Sequence, residues 1–143
     1  MNSVSFLKVT VQNNSDGINS YYAAKLGVGK VLVNASGGNG GNGGNGGTSS
    51  PGRYPGDGGD ASDGGNGGVI ILHIDPSAKP YEQMIITKVN GGDGGEGGLG
   101  GSAYINNTPN SNLMYGKNGR QGRSGRMGKI EFKYETIEKL NWY

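Results

Sequence analysis

The chain has 143 residues, of which 31% are hydrophobic and 32 are glycine, far above the usual glycine share of about 7%. So few apolar side chains allow a small core and exclude a large one, and a net charge of +2 with both signs mixed is too weak to argue for a nucleic-acid partner. The absence of cysteine excludes a disulfide framework and thiolate chemistry. No signal peptide, transmembrane run or lipidation signal is read, so the expectation is a protein made and folded in a cytoplasm.

Val4 and Phe6, then Leu7, Val9 and Val11 after a shift, predict a first strand that ends at the turn 13–17 (NNSDG). Residues 18–26 (INSYYAAKL) fit either a short helix or a loop packing Tyr21 and Tyr22 on a sheet. Gly27 and Gly29 then break the chain. Residues 30–35 (KVLVNA) are strand-like and lead straight into a glycine tract, 37–47 (GGNGGNGGNGG). The second tract, 57–68 (DGGDASDGGNGG), runs into the strand 69–74 (VIILHI), which is apolar on both faces and therefore reads as a central strand. Residues 75–83, with Pro76 and Pro80, read as a turn. The strand 84–90 (MIITKVN) enters the third tract, 91–101 (GGDGGEGGLGG). The fourth, 116–128 (GKNGRQGRSGRMG), runs into the last strand. There Ile130, Phe132 and Tyr134 share one face, with Lys129, Glu131 and Lys133 on the other. The cluster Leu140, Trp142 and Tyr143 either covers the sheet or docks a partner.

All four tracts keep a period of three, which fits neither an α-helix nor a strand. It fits polyproline II, with three residues per turn and a rise of roughly 3.1 Å, so that eleven residues span about 34 Å. An isolated glycine helix of this kind is unstable, because glycine loses the most backbone entropy on ordering and the helix has no internal hydrogen bonds. Side by side, bare glycine faces let backbones approach and bond to one another. Flexible linkers have the same composition, but linkers have no reason to alternate so regularly with strands. The predicted fold is mainly β with polyglycine II helices: a small antiparallel β base carrying an antiparallel bundle of about four glycine-rich left-handed helices, with little or no α-helix. Its parts are 1–36, an N-terminal β base; 37–128, the glycine-rich bundle with strands 69–74 and 84–90 interspersed; and 129–143, a strand and tail completing the base.

Residues 64–101 (GGNGGVIILHIDPSAKPYEQMIITKVNGGDGGEGGLGG) and 122–135 (GRSGRMGKIEFKYE) resemble the glycine-rich domain of phage tail-fibre and related tail proteins. The resemblance covers roughly residues 28–135. The arrangement is also similar to tail-fibre-tip adhesins built as a polyglycine II sandwich. The glycine-rich domain of Obg-type GTPases sets such helices on a β base too, which offers an Obg-like ribosome-binding module as a further reading, but no GTPase motif is present. The resemblance implies a non-enzymatic virion protein, a tail-fibre or tail-tip component assembled in the host cytoplasm. It implies virion partners at the β base and at Trp142 and Tyr143, and a host glycan or outer-membrane protein at the loops. A decorating protein of capsid or tail, without receptor binding, is the competing structural role. A homo-oligomer is compatible with both. Ice binding wants small hydroxyl or methyl side chains at the third positions, where Asn, Asp, Glu and Arg stand.

No catalytic constellation is found, and no cofactor or metal is implied. The single histidine, His73, lies in a strand and reads as a structural residue with a local partner. Asp57, Asp60 and Asp63 form a column whose step of about 9.3 Å is too long for one metal ion. Lys117, Arg120, Arg123 and Arg126 form a second column at the same step. Its cations can face acids of a neighbouring tract, Asp57/Asp60/Asp63 or Asp93/Glu96, or bind a polyanion. With one glycine per triplet, the fourth tract is expected on the outside.

The loops 48–56 (TSSPGRYPG) and 102–115 (SAYINNTPNSNLMY) are expected at the same end. They carry Arg53, Tyr54, Tyr104, Asn106, Asn107, Met114 and Tyr115, residue types that recognition loops favour. Loops on a rigid scaffold are where binding usually resides.

Overall fold

The computed structural model describes residues 6–12, 19–25, 29–108 and 110–136. These residues are mainly β with little α-helix: β1 (Phe6–Gln12), β2 (Asn19–Lys25), β3 (Val31–Asn34), β4 (Val69–Ile74), β5 (Ile85–Lys88), β6 (Ser102–Tyr104), β7 (Leu113–Tyr115) and β8 (Lys129–Tyr134). A 3-10 helix, Pro76–Met84, precedes β5. The described residues divide into two units. One holds those up to Asn34, Ile70–Lys88 and those from Ile130; the other holds Ala35–Val69 and Val89–Lys129.

In the strand unit, β1 and β2 pair antiparallel, Phe6 opposite Lys25 and Gln12 opposite Asn19. Within the stretch that reads as helix or loop, Asn19–Lys25 is thus a strand. Seven residues make at most a marginal helix, whereas the neighbouring β1 supplies a full ladder of partners. Val4, the turn 13–17, Gly27, Leu140, Trp142 and Tyr143, and the side chains of Tyr21 and Tyr22, lie outside the described residues.

The expected antiparallel base is corrected by the other two pairs. β3 and β5 are parallel, Val31 opposite Ile85 and Asn34 opposite Lys88. β4 pairs with β8. Lys129 N–H donates to the Gly68 carbonyl and Glu135 N–H to that of Ile74, the same residue offset at both ends, so these strands also run parallel. No tight turn joins either pair; long excursions separate the partners, as parallel pairing requires.

The expectation of a central β4 also fails. Among the described residues the strand pairs on one side only, and its burial alternates: Ile70, Leu72 and Ile74 are buried, while Val69 and Ile71 are 62% and 46% exposed. Together with Val33 these are the buried apolar side chains of the unit among the described residues. Along β8, Ile130 is half-buried but Phe132 and Tyr134 are exposed. The expected turn before β5 is the 3-10 helix. Asp75 caps it, its Oδ1 accepting from Ser77 N–H at 2.9 Å and from Ser77 Oγ at 2.6 Å, and Pro76 sits where a missing N–H costs nothing.

In the second unit the glycine tracts bond to one another through their backbones, once every third residue. Gly37, Gly40, Gly43 and Gly46 donate to the carbonyls of Asn90, Asp93, Glu96 and Leu99 at 2.7–2.8 Å, so the first and third tracts run parallel. Gly58, Ala61, Gly64 and Gly67 donate likewise to Lys117, Arg120, Arg123 and Arg126, so the second and fourth are parallel. The remaining contacts are antiparallel. The second tract donates from Gly59, Ser62 and Gly65 to Gly44, Gly41 and Gly38 of the first, and the third from Gly92, Gly95 and Gly98 to Gly65, Ser62 and Gly59 of the second. The fourth donates from Gly119, Gly122 and Gly125 to Gly98, Gly95 and Gly92. The second and third tracts therefore each bond to three others, and the first and fourth to two.

Candidate functional site

The two long loops of the glycine-tract unit are brought together. Ser49 N–H donates to the Ser102 carbonyl at 3.3 Å and Gly52 N–H to that of Tyr104 at 2.9 Å. The first loop bends at Ser50-Pro51-Gly52-Arg53, where Arg53 N–H donates to the Ser50 carbonyl at 3.1 Å. Proline at the second position and glycine with φ +76° at the third are the requirements of a type II turn. Ser49 Oγ then ties back to the Arg53 carbonyl at 2.7 Å, and Pro55 is buried. Arg53 and Tyr54 project from this brace, with Tyr54 91% exposed.

The second loop is a hairpin that the sequence reading missed. Ser102 faces Tyr115 and Tyr104 faces Leu113 across β6 and β7. Alternation puts buried Ala103 and half-buried Met114 on one face and exposed Tyr104, Leu113 and Tyr115 on the other. The tip is closed by Ile105 N–H to the Asn112 carbonyl at 2.9 Å and Asn106 N–H to Ser111 Oγ at 2.7 Å. Of the candidate contact residues, Arg53, Tyr54, Tyr104, Asn106, Asn107 and Tyr115 are exposed, whereas Met114 turns toward Ala103. Ile105 and Leu113 are exposed as well. For Leu113 the signal was in the sequence, since Leu113-Met114-Tyr115 alternates like a strand and aligns Leu113 with Tyr115.

The charge columns meet differently from the expected charge-on-charge arrangement. Oδ1 of Asp57, Asp60 and Asp63 accepts the backbone N–H of Lys117, Arg120 and Arg123 at 2.7–2.8 Å, and Asn66 does the same for Arg126. One ion pair of the column forms among the described residues, Arg120 Nε to Asp60 Oδ2 at 3.4 Å. The same staple joins the other parallel tracts, where Oδ1 of Asn39, Asn42 and Asn45 accepts the N–H of Asp93, Glu96 and Leu99 at 2.9–3.0 Å. Asp93 and Glu96 are exposed. In these staples the third-position side-chain oxygen stands in for a backbone carbonyl.

In the strand unit, His73 Nδ1 bonds to Glu135 Oε1 and both side chains are about half exposed. Tyr134 OH donates to Glu82 Oε2 at 2.8 Å, with Lys79 Nζ 5.1 Å from its ring centre. The Glu82 carboxylate, chiefly by accepting that bond, raises the Tyr134 pKa above 10.0. No group of three acidic or histidine side chains among the described residues could hold a metal ion. Compared with known proteins, the chain matches no family model, no curated protein and no solved structure.

Proposed function

We propose that the chain is a non-enzymatic phage virion protein, a tail-fibre or tail-tip component whose paired loops bind the host surface. In this reading the four tracts are polyglycine II helices packed as a bundle, and the bundle is a stiff support. The period-three backbone bonds among the tracts favour it, since that is the spacing such helices require. The observation that carries the functional reading is the loop pair itself. Two loops are braced against each other by backbone bonds, yet they present Tyr54, Tyr104 and Tyr115 to solvent. Rigid, exposed tyrosines are contact area already bought from entropy. The partner is a surface glycan or outer-membrane protein, and the strand unit joins other virion proteins.

A decorating role in capsid or tail is the second reading. It is favoured by Leu32 and Ile86, which are register partners and both exposed, as a face covered on assembly would be. The deciding experiment exchanges residues 48–56 and 102–115 for those of another chain of this type in an assembled particle. Altered adsorption to cells with intact particles supports host binding. Unchanged adsorption with loss of particle stability overturns it and supports decoration.

A further inference from the structure

Six Asn-Gly pairs occur in the chain: Asn39-Gly40, Asn42-Gly43, Asn45-Gly46, Asn66-Gly67, Asn90-Gly91 and Asn118-Gly119. In such a pair the glycine nitrogen can attack the asparagine side-chain carbonyl, because no side chain hinders the approach. The N–Cγ bond forms, the bond to the side-chain nitrogen breaks, and ammonia leaves. Water then opens the cyclic imide at either carbonyl, giving aspartate or isoaspartate. The glycine nitrogen must first be released from its own hydrogen bond, and the asparagine carbonyl must be free to turn toward it.

Five of the six pairs are held at both groups. Gly40, Gly43 and Gly46 donate their N–H to Asp93, Glu96 and Leu99, and Asn39, Asn42 and Asn45 accept from those same residues. Gly67 N–H donates to the Arg126 carbonyl while Asn66 Oδ1 accepts from Arg126 N–H. Gly119 N–H donates to the Gly98 carbonyl while Asn118 Oδ1 accepts from Gly100 N–H at 2.9 Å. The sixth pair is held at neither. Among the described residues, the Gly91 N–H and the Asn90 side chain have no hydrogen-bond partner, and only the Asn90 main-chain carbonyl is engaged, by Gly37 N–H.

Exposure does not separate the six, since every one of these asparagines is exposed. Nor does the sequence that follows, because all but Asn118 continue as Asn-Gly-Gly. We propose that Asn90 is a site of spontaneous modification, deamidating through the attack of Gly91 nitrogen while the other five asparagines are held unreactive by the fold. The product carries a new negative charge at the start of the third tract. As isoaspartate its main chain runs through Cβ and Cγ, one atom longer, and the carbonyl that Gly37 uses becomes the free carboxylate, which disturbs the three-residue register. The inference rests on hydrogen bonding alone and holds whatever the loops bind.

The test incubates the full chain in mildly alkaline buffer, with a parallel sample in denaturant, and follows all six sites by peptide mapping and mass spectrometry. In the folded chain Asn90 is expected to convert faster than the others by on the order of tenfold, the effect of two ordinary hydrogen bonds. In denaturant that advantage is expected to vanish. Equal rates in the folded chain, or a faster site elsewhere, would overturn the proposal. So would the same ranking in denaturant, which would assign the reactivity to the preceding Val89 rather than to the fold.

Discussion

Asp60 holds Arg120 twice, once by the backbone and once by the side chain. Its Oδ1 accepts the Arg120 N–H at 2.8 Å, and its Oδ2 lies 3.4 Å from Arg120 Nε. The two contacts differ in strength. The Arg120 side chain is 89% exposed, and exposed ion pairs contribute between about 0 and 1 kcal/mol. The bond to the backbone N–H supplies an acceptor that no neighbouring carbonyl provides. Asp60→Asn is therefore expected to melt within a degree or two of the wild type, and Asp60→Ala to lose about 1 kcal/mol. Equal losses in thermal denaturation would mean that the charge, not the staple, matters.

The glycines of the tracts are not equivalent. A Cβ on Gly95 would overlap the Gly41 carbonyl, whereas one on Gly44 meets nothing within 4 Å. Gly95→Ala should destabilise by about 1–3 kcal/mol or more, as overpacking against backbone does. Gly44→Ala should be neutral or stabilise by up to about 1 kcal/mol, because alanine has less unfolded-state freedom to lose. Equal melting temperatures for the two variants would refute the tract arrangement.

Amide exchange should resolve the tracts residue by residue. Gly40, Gly43 and Gly46 donate their N–H groups to the third tract and should exchange slowly. Gly41, Gly44 and Gly47 donate to no acceptor among the described residues and should exchange quickly. Uniformly rapid exchange across 37–47 would leave strands joined by linkers, and the host-binding reading would lose its scaffold.

Tyr134 provides a pH dependence. Its pKa lies above 10.0, first because its hydroxyl donates to Glu82, then through burial and the Glu82 charge. The folded state thus favours the neutral phenol. That contribution to stability is complete below the ordinary tyrosine pKa and is lost as pH rises through the raised folded value. The difference in ultraviolet titration between wild type and Tyr134→Phe should show a phenol ionising above 10.0, and Glu82→Ala should return it to the ordinary range. An unchanged titration in Glu82→Ala would remove Glu82 as the cause.

At the loops, Gly52 has φ +76°, where a non-glycine residue costs about 1–2 kcal/mol. Gly52→Val should lower stability and, if the proposed host binding holds, adsorption as well. Under the same proposal Tyr54→Ala, at a side chain 91% exposed, should lower adsorption with the melting temperature unchanged. Full binding by Tyr54→Ala would remove that residue from the contact surface.

The sequence alone determined the local grammar. The three-residue period of the tracts, the strand segments 69–74 and 129–134 and the third-position columns follow from backbone sterics and side-chain spacing, which act within a few residues. Only the tertiary structure decided who neighbours whom. β3 and β5 are parallel because distant segments meet, which no local pattern encodes. The first tract, with two glycines per triplet, bonds to only two others, so glycine content does not count neighbours. Asp57, Asp60 and Asp63 read as charges awaiting cations, yet they bond to backbone N–H groups. Neighbouring chains with few side chains between them leave N–H groups that an aspartate or asparagine oxygen reaches first. Asn90 is followed by Gly-Gly like four other asparagines, and what lies across from it sets its hydrogen bonding apart from theirs.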